Sequence, residues 1–108
     1  MKALKIFFVL EPPLIVPFSF GVDTVNQGSF AQLVCVVMNG DEPISITWSL
    51  KGDVISSDTD LTTTMLGTRT SMLTIGSVSH RHTGTYTCRA SNPAGSVTHS
   101  ANLKVNGN

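Results

Sequence analysis

Charge, aromatic rings and cysteine are all scarce in this sequence, and each scarcity narrows what the chain can do. Only 13% of the 108 residues are charged, and seven basic side chains balance seven acidic ones. A chain with no excess of either sign has no field to draw in nucleic acid or an anionic membrane, and none with which to repel a second copy of itself. Its apolar runs, Ile6 to Leu10 among them, fall far short of the roughly 20 residues that a membrane helix needs. Direct membrane contact is therefore not expected, and any anchor lies outside these residues. No Gly-rich phosphate loop, nucleophile elbow or pair of catalytic carboxylates occurs, so the chain does not read as an enzyme and no cofactor is expected. His80 and His82 sit without Cys, Asp or Glu at ligand spacing, which is short of a closed metal site.

What is present points to one domain. A chain of 108 residues suffices for one hydrophobic core and not for two. Residues 1–11 put charge before apolar residues, as a secretory leader does, but offer no small-x-small cleavage site, so they read as a truncated leader or an N-terminal extension. Residues 12–108 form the domain. Apolar and polar residues alternate with period two through Leu33 to Val37, Ile44 to Leu50, Ser71 to Ile75, Thr85 to Ala90 and Ser96 to Val105. No segment sustains a helical period, so the class is all-β. Asn39-Gly40-Asp41, Lys51-Gly52-Asp53 and Asn92-Pro93-Ala94-Gly95 supply the backbone conformations of tight turns. Pro12, Pro13 and Pro17 confine the first segment to an edge strand or an extended linker.

The two cysteines could be free thiols, and their surroundings decide otherwise. Cys35 lies within Leu33-Val34-Cys35-Val36-Val37, Trp48 follows thirteen positions later, and Cys88 ends Gly84-Thr85-Tyr86-Thr87-Cys88. This is similar to the immunoglobulin pattern of a two-sheet antiparallel sandwich. In that pattern a Cys on each of two facing strands forms one inter-sheet disulfide, a Trp packs on it, and a Tyr two residues before the second Cys anchors a corner. Cys35, Cys88, Trp48, Leu73 and Tyr86 are then the core signature.

Pointing Cys35, Trp48 and Cys88 inward sets every neighbour, because side chains alternate between the faces of a strand. Leu33, Val37, Ile46, Leu50, Leu73, Ile75, Tyr86, Ala90, Ala101, Leu103 and Val105 are expected inside. Ser45, Thr47, Ser49, Thr85, Thr87, Arg89, Ser100, Asn102 and Lys104 then make one outer face polar. On the other sheet Gln32, Val34, Val36, Thr62, Thr64, Met72 and Thr74 face outward. Adjacent exposed apolar residues rimmed by hydroxyls are a candidate partner site. Asn92 precedes a proline and no other Asn begins an Asn-x-Ser/Thr triplet, so no N-glycan is expected over either face.

Pro13-Leu14-Ile15-Val16-Pro17-Phe18-Ser19-Phe20 resembles the opening of a variable immunoglobulin domain of the arthropod Dscam (Down syndrome cell adhesion molecule) family. Gly40 to Ile44, Ile46 to Leu50, Ser71 to Ile75 and Thr87 to Gly95 look like the same I-set-like domain type. The resemblance covers roughly Pro13 to Val105 and extends to the shortened chelicerate forms, where such a domain is outermost. It implies an extracellular, homophilic adhesion domain of a cell-surface receptor. The partner would be an identical copy on an apposed cell, met antiparallel through the sheet bearing the first Cys. A heterophilic module of an immune-type receptor, using the loops near Gly40 and Asn92 to Gly95, is the alternative. His82 stands where many such domains carry an Asp that pairs with an Arg, here Arg69, so a missing ion pair and a looser corner are expected.

Overall fold

The computed structural model describes residues 10–56 and 60–107, so most of the extension or leader expected at residues 1–11 lies outside the described residues. Among them the chain forms ten strands and one 3-10 turn, His80–His82. Four strands, β1 (Leu14–Ile15), β3 (Ala31–Asn39), β7 (Thr70–Ile75) and β6 (Leu61–Leu66), make an antiparallel sheet in the order β1-β3-β7-β6. The facing sheet has the order β5-β4-β8-β9, from Asp53–Val54, Ser45–Leu50, Gly84–Asn92 and Gly95–Leu103. A short parallel pair, β2 (Val25–Asn26) with β10 (Val105–Asn106), lies apart from both.

Alternation decides which way each strand faces. Along β3, Ala31, Leu33, Cys35 and Val37 are buried while Gln32 and Val34 are exposed, and β7 follows the same rule with Ser71, Leu73 and Ile75 inside. The two inner faces meet at the Cys35–Cys88 disulfide, whose Cα atoms are 6.4 Å apart. Trp48 lies opposite Cys88 across β4 and β8. Its indole N–H reaches over the core to donate to the Ser71 hydroxyl at 2.9 Å, and Ser71 is itself the register partner of Cys35. One polar contact thus satisfies two buried groups that would otherwise be left without partners.

The second half of the core rests on Tyr86, which is fully buried and donates its hydroxyl to the His82 carbonyl at 2.6 Å. Burial pushes the Tyr86 phenol from its ordinary 10.0 up to about 12. Far from being loose, this corner is tightly made: His82 is 3% exposed, and the Ser79 amide donates to its Nδ1 at 2.9 Å. Topology also keeps Arg69 away from this corner. Arg69 precedes β7 and His82 follows it, so six residues of extended strand hold the two at opposite ends of the sheet. Arg69 instead donates to the Asn39 and Gly40 carbonyls and sits 3.6 Å from Glu42.

Of the expected core, Leu33, Val37, Leu73, Ile75, Tyr86, Ala90, Ala101 and Leu103 are buried, and Ile46, Leu50 and Val105 only partly so. Ile46 and Leu50 belong to β4, whose neighbour β5 is two residues long and leaves that flank open. Ile15, Ala31, Leu61 and Val78 complete the core.

Turn chemistry follows the backbone. Lys51 and Gly52 both have positive φ, at 53° and 87°, between the paired residues Leu50 and Asp53, as a two-residue hairpin requires. Gly40 has φ 105°, and a Cβ there would stand 2.8 Å from the Pro13 backbone. The proline-rich segment does form an edge strand, β1, and then crosses to the other sheet. There the Phe18 carbonyl lies 2.9 Å from His99 Nε2 on β9, and the Phe18 ring packs on Trp48 and His99.

Candidate functional site

The outer face of β6, β7 and β3 is a grid of three rows. Strand pairing aligns Thr62, Thr74 and Gln32 in the first row and Thr64, Met72 and Val34 in the second. Leu66, Thr70 and Val36 form the third. All seven residues expected on this face from the sequence are brought together in it. Met72 is its centre, with Val34 beside it at 37% exposure and the Gln32 amide donating to its thioether sulfur.

No position of the grid carries a charge. Arg69, next to Thr70 in the chain, spends its guanidinium on the loop carbonyls described above. The result is an apolar centre of Val34, Val36 and Met72 bordered by hydroxyls, one amide and, at a corner, Leu66. Sequence reasoning missed Leu66 (52% exposed) and Thr70, which complete the third row, and the exposed Met38 and Leu14 beyond it. A step of two residues from Thr64 and from Met72 reaches Leu66 and Thr70, so alternation alone carried that signal.

The opposite face is chemically different. Thr47, Arg89 and Thr98 lie abreast, as do Ser49, Thr87 and Ser100. Their polar groups are largely spent on one another: Thr87 with Ser100 at 2.7 Å, Thr85 donating to Asn102 at 2.6 Å, and Arg89 reaching Ser91 and Ser96. This face offers a partner no apolar centre to bury. At the loop end, Asn92 donates to the Glu11 and Asp41 carbonyls at 2.6 and 3.0 Å while its oxygen accepts from the Ala94 and Gly95 amides. Those loops are therefore tied to each other. Among the described residues no group of three His, Cys, Asp or Glu is gathered closely enough to hold a metal ion, and no helix is long and apolar enough to cross a membrane.

A two-sheet sandwich with a bridging disulfide, a Trp against it and a Tyr-anchored corner defines the immunoglobulin class of domain. The immunoglobulin I-set family model matches residues 21–105, and the chain belongs to that family. It is 41% identical over 99 residues to the cell adhesion molecule Dscam1 of Drosophila melanogaster, a match covering 91% of this chain and 5% of that protein. It is 44% identical over 97 residues to the cell adhesion molecule DSCAML1 of Homo sapiens, covering 90% of this chain and again 5% of the relative. The chain therefore spans about a twentieth of the curated relatives it matches. Among solved structures it resembles the Dscam1 Ig7 domain, isoform 5, with TM-score 0.85 and 44% identity over 88% of this chain and 97% of that one. An I-band fragment of titin, at TM-score 0.78 and 31% identity, covers 90% of this chain and 33% of the fragment. The similarity to Dscam expected from the sequence holds, and the domain is a non-enzymatic one.

Proposed function

We propose that this domain, residues 12–108, is a homophilic adhesion module displayed outside the cell as part of a larger receptor, pairing with an identical copy on an apposed cell. The contact is the β3, β7 and β6 face, met antiparallel about a two-fold axis. The observation that carries this reading is the uncharged grid centred on Val34, Val36 and Met72. A two-fold contact sets the same patch against itself, so a charge near the axis would meet its own like across a desolvated gap. The relatives' description as cell adhesion molecules supports the same reading.

Burying three apolar side chains on each copy contributes roughly 1.5 kcal/mol or more per side chain, comparable with the roughly 4 to 15 kcal/mol that association costs. The isolated domain should therefore self-associate weakly, at micromolar affinity or below, with avidity between receptors supplying the rest. Sedimentation equilibrium on Val36→Asp and Thr47→Asp tests the assignment. Val36→Asp should abolish pairing and Thr47→Asp, on the polar face, should leave it intact; the reverse ranking would show that the wrong sheet has been chosen. A strictly monomeric wild type at high micromolar concentration would favour the heterophilic reading instead.

A further inference from the structure

Three of the chain's four methionines, Met38, Met65 and Met72, belong to β3, β6 and β7, and one of them occupies a singular place. Met72 is the centre of the three-by-three grid, flanked by Val34 and Thr64 along its row and by Thr70 and Thr74 along its own strand. Its thioether is partly exposed on the outer face and accepts a hydrogen bond from the Gln32 amide, in a contact open to solvent. A peroxide can therefore reach the sulfur from solvent without the fold opening. Whatever changes the polarity of that atom changes the middle of the apolar patch on every copy.

Resting on the self-pairing reading above, we propose that Met72 is an oxidation site that switches the face off, the reagent being hydrogen peroxide of an oxidising extracellular setting. Peroxide transfers one oxygen atom to a lone pair on Met72 Sδ; the O–O bond breaks, an S–O bond forms, the thioether loses two electrons and the peroxide leaves as water. The product is a strongly polar sulfoxide in place of an apolar side chain. In the free domain that oxygen faces solvent and costs nothing. In a two-fold pair it must be desolvated twice, once per copy, against Val34, Val36 and its own symmetry mate. The coupling is reciprocal: pairing covers Met72, so pairing also protects it. Only unengaged copies are oxidised, and oxidised copies stay unengaged until a methionine sulfoxide reductase restores the thioether.

Met38 is 61% and Met65 47% exposed, so the test is made with Met38→Leu/Met65→Leu, in which Met72 is the remaining methionine among the described residues. The protein is treated with hydrogen peroxide, the sulfoxide located by peptide mass mapping, and self-association measured by sedimentation equilibrium, with thermal unfolding to show that the fold survives. Conversion of Met72 should weaken self-association at least tenfold, reductase treatment should restore it, and Met72→Leu should keep its association through the same treatment. Met72 should also oxidise more slowly as protein concentration rises. Full conversion with unchanged association, or equal loss in Met72→Leu, overturns the proposal. The control separates its failure from that of the self-pairing reading: if Val36→Asp abolishes association and the sulfoxide does not, only the oxidation switch falls. If neither matters, the face is not the contact and both fall.

Discussion

Tyr86 is the only tyrosine in the chain, so its ionisation can be followed by near-ultraviolet absorbance without interference from another phenol. The side chain is fully buried and donates to the His82 carbonyl at 2.6 Å, and burial lifts its pKa from 10.0 to about 12. The unfolded chain loses this proton near pH 10 and the folded chain does not, so the folded state binds the proton more strongly. Stability from this group is therefore fully present below pH 10 and is lost as pH rises from there through about 12. Two units correspond to roughly 2.7 kcal/mol at 1.36 kcal/mol per unit. Tyr86→Phe removes the donor to His82 and should cost about 1 to 2 kcal/mol at neutral pH, but it also removes the alkaline loss. Urea unfolding of the two proteins from pH 8 upward should show the wild-type advantage shrinking once the pH passes 10. The reasoning is refuted if the folded wild type forms tyrosinate with a midpoint at 10, or if the two proteins lose stability in parallel.

The disulfide closes a segment with a sequence separation of 53, for which the chain-entropy relation gives about 4 kcal/mol; Cys35→Ala/Cys88→Ala should be destabilised by that order in denaturant unfolding, and a native protein with two titratable thiols would contradict the pairing. Ser71→Ala removes the acceptor of the buried Trp48 indole and should cost about 1 to 3 kcal/mol, measured by the same unfolding curves; a neutral result would mean that the indole N–H finds another acceptor.

The sandwich was legible because two features of the sequence reinforce each other. Cys35, Trp48, Tyr86 and Cys88 name residues that must point inward, and strand alternation then propagates that choice residue by residue through β3, β4, β7 and β8. The same parity placed Gln32, Val34, Val36, Met72 and Thr74 on the outer face. It was not carried to the strand ends: Leu61-Thr62-Thr63-Thr64-Met65-Leu66 has three hydroxyls in succession and shows no apolar period of its own, so parity stopped at Thr64 and Met72, and Leu66 and its partner Thr70 went unassigned. What depends on distant partners left no local trace. Phe18 meets Trp48 and His99 only because the first segment changes sheets, and Asn92 ties Glu11 to Asp41 across 81 and 51 positions of sequence. The looser corner expected at His82 misled because it was carried over from a pattern that sets Arg69 beside it, when the length of β7 holds the two apart.

The parallel pair of β2 and β10 bears on how the domain would carry tension. Pull along the sandwich and the load enters β10 at its C-terminal end but leaves β2 at its N-terminal end. The bonds from Val25 to the Lys104 carbonyl and from Gln27 to the Asn106 carbonyl, both 2.9 Å, are then stretched together in shear and not peeled one by one. The long β8–β9 hairpin, which would unzip from its open end, lies off that line of force. In that geometry the short pair yields only when both bonds break together.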